Sequence, residues 1–110
     1  QNGWIPLGTD FPVEDISPFK TFLAAVFRVD AKGYPAGGFQ PENALTREEA
    51  IRGMTIWAAK ADCLEKEVGS LEPGKKADFV ILDKDLMEIP AAAILQTKTV
   101  STYSSGVKVF

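Results

Sequence analysis

The tightest constraint on this chain is a short extended stretch with nothing nearby to pair with. Ile5-Pro6 opens an extended segment, because proline suits the first residue of a strand and biases its predecessor away from helix. Leu7 to Thr9 then read as a very short strand, and Pro12 ends any ladder, leaving Asp10 at the strand's carboxyl end. A lone strand leaves its backbone donors and acceptors unpaired. Something distant in sequence, or outside it, must cover this one.

The next stretch is helical. Ser17-Pro18 combines an N-cap side-chain oxygen with a residue whose φ suits the first helical position. Phe19, Phe22, Leu23 and Val26 then fall at i, i+3, i+4 and i+7, one apolar stripe of a helix ending near Arg28. From Ala31 to Asn43, Gly33, Pro35, Gly37, Gly38 and Pro41 rule out a regular element, so this is a long loop, of the kind that often carries function. Thr46-Arg47-Glu48-Glu49 spells a capping box, and a second helix runs through Ala50, Ile51, Met54, Trp57, Ala58 and Ala61 to about Leu64.

The character changes near Glu67. Glu72-Pro73-Gly74-Lys75 has type II turn chemistry, and Phe79 to Leu82 reads as a strand buried on both faces. Pro90 opens a helical turn through Ile94. Thr97 to Tyr103, a turn at Ser104-Ser105-Gly106, and Val107 to Phe110 form a hairpin. The order is βα in the first part and a small β unit in the second.

Composition excludes much. With 110 residues, 45% of them hydrophobic, one ordinary domain's worth of core is available, and no apolar run reaches the roughly 20 residues of a membrane span. A net charge of -3 with Lys75-Lys76 as the one adjacent basic pair argues against nucleic acid. Cys63 is the single cysteine, which fits a reducing, cytoplasmic setting, and it reads as a small buried core residue. The first residue is Gln1, so the translation start is expected to lie upstream. There is no histidine, which removes Ser-His-Asp and Cys-His catalysis and the commonest zinc ligand.

Two motifs fail on context. Gly69 to Lys76 falls one residue short of a phosphate-binding loop, having Lys76 where Ser or Thr should hold magnesium and a strand where a helix should follow. Asp83, Asp85 and Glu88 lack the glycine and glutamate that a calcium loop needs at its sixth and twelfth positions. Asp10 keeps two readings: a catalytic side chain at the carboxyl end of a barrel strand, or an aspartate capping a turn.

Three stretches together carry a family likeness: Leu7-Gly8-Thr9-Asp10-Phe11-Pro12-Val13, Ala44-Leu45-Thr46-Arg47-Glu48-Glu49-Ala50, and Gly69 through Asp83. In that order they resemble the final part of an amidohydrolase-superfamily enzyme, within amidohydrolase family 3, the branch that includes N-substituted formamide deformylases. The resemblance implies an α/β plus β fold, the last strand and helices of a (β/α)8 TIM-like barrel followed by carboxyl-terminal strands of the amidohydrolase β-sandwich. It implies a division into 1–66, strand 8 with its closing helices, and 67–110, the sandwich strands. It implies a metal-dependent hydrolase of an amide-type small molecule, using a divalent metal, zinc in the first place. Asp10 matches the family's catalytic aspartate and possible metal ligand.

The ligand-bearing earlier strands have no counterpart here. A carboxyl-terminal fragment, inactive and metal-free by itself, is therefore expected, with the 33–43 loop as a candidate lip of the substrate pocket. The rival expectation is a non-enzymatic module that pairs with itself or with a larger chain through its open strand edges.

Overall fold

The computed structural model describes residues 3–110. Helix α1 spans Pro18–Phe27 and buries Phe22 and Leu23. Its stripe is the expected one, with Phe19 and Val26 packed beside them. The cap differs from expectation: the Ser17 hydroxyl makes no capping bond. Instead the Ser17 amide donates to Asp15 Oδ1 at 3.3 Å, which orders the chain just before the helix.

The expected second helix is two helices, α2 at Arg47–Met54 and α3 at Ile56–Ala61. The capping box forms in full, with the Glu49 amide donating to Thr46 Oγ1 at 3.1 Å and the Thr46 amide to Glu49 Oε2 at 2.8 Å. The break falls at Thr55, whose φ of -126° and ψ of -97° leave the helical region. A helix end leaves its last carbonyls without intrahelical partners. Thr55 takes two of them, its hydroxyl donating to the Ile51 carbonyl at 2.7 Å and its amide to the Arg52 carbonyl at 3.2 Å.

Beyond α3 the chain makes the expected turn, closed by the Lys75 amide on the Glu72 carbonyl at 3.1 Å with Gly74 at φ +93°. Strand β1 is Phe79–Leu82, α4 is Ala91–Ile94, β2 is Thr99–Ser104 and β3 is Val107–Lys108. The three strands form one antiparallel sheet in the order β1-β2-β3, with Phe79 opposite Tyr103 and stacked on it at 4.5 Å. Strand β1 is not buried on both faces as expected: Val80 is 54% exposed and Ile81 46%. An antiparallel sheet with uncovered faces, rather than a parallel one wrapped by helices, explains the difference.

Phe22, Leu23, Ala50 and Ile94 form the buried core, so it joins α1 and α2 to α4 across position 66. Arg47 adds a polar tie across the same line: its Nη1 donates to the Leu86 carbonyl at 2.6 Å while its guanidinium lies 5.4 Å from the Phe27 ring centre. Gly69 is needed where it stands, since a Cβ would lie 2.7 Å from that of Ala59. Cys63 is exposed, not a core residue, because it lies past the end of α3 in a left-handed turn at φ 60°.

Replacing Thr46 by Ala removes one arm of the capping box. The expected loss is about 1 kcal/mol of folding stability, read by chemical denaturation; an unchanged midpoint would mean that the box adds nothing to this fold.

Candidate active site

Residues 7–9 adopt no ladder. The expected strand is instead an extended segment, for lack of a neighbouring strand among the described residues. It is tied to the helices by the Leu7 amide, which donates to the Gly53 carbonyl 2.9 Å away. Leu7 turns its side chain into the partly buried layer around the core.

Asp10 ends this segment at φ 54°, a left-handed conformation that aspartate tolerates better than most residues. Its carbonyl accepts from the Val13 amide at 2.8 Å and the Glu14 amide at 3.3 Å, closing a tight turn. The residue is solvent-exposed. It is the backbone carbonyl of Asp10 that closes this turn.

Five positions further along, Asp15 pairs with Lys20 at 2.5 Å, and the lysine together with the Ser17 amide holds the Asp15 carboxyl below its ordinary range. Both line an open hollow of about 730 Å³ that runs along α1 from residues 7–9 to Tyr34 and Phe39. Asp10 is not among its lining residues.

The loop at the far end is self-bonded. The Arg28 carbonyl accepts from the Phe39 amide at 2.8 Å and Arg28 Nε donates to the Phe39 carbonyl at 3.0 Å. The Asp30 carboxylate accepts from the Lys32 and Tyr34 amides at 2.8 and 3.0 Å, and these amides lower its pKa. This loop leaves the carboxyl end of α1, whereas Asp10 leads into its amino end. Ten helical residues, about 15 Å, lie between. Tyr34, Pro35 and Phe39 of the loop nonetheless line the same hollow as residues 7–9.

A second hollow, about 1030 Å³, lies between α2, α3 and the sheet and is walled by Ile51, Met54, Ile56, Leu71 and Val80. At its rim Lys75 Nζ donates to Ser70 Oγ at 2.7 Å and pairs with Glu72 at 3.0 Å, a brace for the turn. Among the described residues, no three of His, Cys, Asp and Glu converge as a metal site. Nor is any helix there long and apolar enough to cross a membrane. Gly53 belongs to no motif, and the one trace its place beneath Leu7 leaves in the sequence is a glycine inside a helical run, where it costs stability relative to alanine.

The sequence pattern described as "Amidohydrolase family" matches residues 1–110. N-substituted formamide deformylase of Arthrobacter pascens is 33% identical over 103 residues, 94% of this chain and 18% of that protein. Protein LONG AFTER FAR-RED 3 of Arabidopsis thaliana is 34% identical over 109 residues, 99% of this chain and 18% of that protein. The crystal structure of an amidohydrolase from Thermotoga maritima MSB8 aligns with a TM-score of 0.52 at 29% identity, covering 63% of this chain and 16% of that one. The chain thus spans about a fifth of the length of these curated relatives.

The Asp15–Lys20 pair sets a pH expectation. Folding lowers the Asp15 pKa, so its contribution is complete above the ordinary carboxylate value and is lost as pH falls through the lower folded value. Carboxyl-carbon NMR should show Asp15 titrating below ordinary aspartates, and Lys20→Met should move it most of the way back to them, the Ser17 amide remaining. Titration unmoved by that substitution would sink the assignment.

Proposed function

The chain belongs to the amidohydrolase family, and from that premise we propose that it forms the carboxyl-terminal part of an enzyme hydrolysing a carbon–nitrogen bond of an amide or cyclic amide. In this reading residues 1–66 supply the last barrel segment with its closing helices, and residues 67–110 supply sandwich strands. The observation that carries it is Asp10, presented in a left-handed turn at the end of an extended segment. The name of the Arthrobacter relative, an N-substituted formamide deformylase, favours an amide-type small molecule as substrate.

Asp10 acts as general base and then general acid. Its carboxylate takes a proton from the attacking water as the water oxygen bonds to the carbonyl carbon. It returns that proton to the nitrogen as the carbon–nitrogen bond breaks. Such hydrolases use a divalent metal, zinc in the first place, which makes bound water acidic. A catalytic zinc takes three protein ligands and an open position, and Asp10 offers one carboxylate. The residues present do not by themselves make that site, and its other ligands would come from sequence outside residues 1–110. The single cysteine favours a reducing, cytoplasmic setting.

Surface area supports the idea of a part that is covered in a larger protein. The chain exposes 7635 Å². A folded monomer of its mass exposes roughly 6000 Å². The excess, about 1600 Å², is roughly twice the 800 Å² or so that one partner buries in a standard interface.

A second reading, a non-enzymatic module pairing with itself or with a larger chain, draws on the two outer edges of the sheet, where Val80 is 54% and Val107 64% exposed. Sedimentation of the isolated chain tests this reading: a clean monomer at micromolar concentration counts against pairing. The catalytic reading is tested by Asp10→Asn in the complete enzyme. Turnover should fall by at least about 100-fold with substrate binding retained, and unaltered turnover would falsify it.

A further inference from the structure

We infer that Gly53 is a positioning residue for Asp10, an inference that rests on the catalytic reading of Asp10. Because α2 stops at Met54, its last carbonyls need partners from elsewhere. Thr55 takes those of Ile51 and Arg52, and the Gly53 carbonyl receives the Leu7 amide at 2.9 Å. That bond requires the backbone of residues 5–7 to lie directly on α2.

Only a residue without a side chain permits this. A Cβ at position 53 would stand 2.8 Å from Leu7 Cγ, 2.9 Å from the Ile5 carbonyl oxygen and 3.0 Å from Leu7 Cδ1. Contacts below 3.0 Å are not sustained, and one of these is to backbone, so the extended segment itself must move. Gly53 is buried, which leaves no room on the other side. Asp10 lies three residues beyond Leu7, at the end of the segment so displaced. The other end of α2 is fixed by the Thr46–Glu49 box, so the helix is the firm partner and the segment the one that yields.

Substitutions in the complete enzyme test this. Gly53→Ala should lower kcat roughly tenfold while leaving KM within about twofold, and Gly53→Val should lower kcat further, since a misplacement of about 1 Å can cost on the order of 100-fold. Tyr103→Ala, which removes the stack on Phe79 in the sheet without touching residues 5–7 or α2, should leave kcat within about twofold once corrected for folded fraction. That contrast separates positioning from mere loss of stability. Should Gly53→Val fail to fold, Gly53→Ala carries the same comparison. Unchanged kcat in Gly53→Ala, or an equal loss in Tyr103→Ala, overturns the inference. Asp10→Asn, measured alongside, separates the two claims: full activity there removes the catalytic reading itself, whereas an inactive Asp10→Asn with an unaffected Gly53→Ala removes only the role of Gly53.

Discussion

A backbone hydrogen bond from the Leu7 amide to the Gly53 carbonyl joins the amino-terminal segment to the helices, and much of the molecule is arranged so that it can form. It needs a helix that stops early enough to leave a carbonyl unpaired. Thr55 provides the stop. It needs a close approach, and the missing side chain at position 53 provides that. It also needs α2 to be held, which the capping box does at one end and the Arg47 bond to Leu86 does through the rest of the fold. Leu7, once seated, covers part of the core cluster of Phe22, Leu23, Ala50 and Ile94.

The same arrangement explains why the chain is at once well bonded and poorly covered. Turns and loops satisfy their own polar groups: Asp30 bonds the Lys32 and Tyr34 amides, Asp83 the Lys98 amide, and Asp78 the Ser105 amide. These local bonds fix loop shape without burying much surface. Apolar burial is concentrated in one small cluster, while Val80, Val100, Val107 and Leu71 stay more than half exposed. Local hydrogen bonding is extensive, and hydrophobic burial is not. A chain in this condition gains most from a neighbour that covers apolar surface.

Legibility in the sequence followed the range of the interaction. The capping box at Thr46 and Glu49, the apolar stripe of α1, the Pro73-Gly74 turn and the Ser105-Gly106 hairpin were readable, because each is set by residues within a few positions of one another. Three expectations failed, the first two for long-range reasons. Leu7 to Thr9 had strand chemistry but no strand beside it among the described residues. Strand β1 had the apolar run of a doubly covered strand but stands in an antiparallel sheet with open faces. Cys63, apolar by type, lies past a helix end whose location the pattern of α3 did not reveal.

For the candidate site, residue order was enough to point to Asp10, since it follows an extended segment, lies two residues before a proline, and has neighbours that carry a family's pattern. Residue content was enough to exclude histidine chemistry within these 110 residues. The supports of Asp10 emerge from packing alone. The 33–43 loop shares a hollow with residues 7–9, and Gly53, unremarkable by composition, lies against the segment that bears the aspartate. Composition and spacing report what a residue can do. The contact between positions 7 and 53 depends on where a helix stops and how closely two backbones approach, and these are settled when the chain packs.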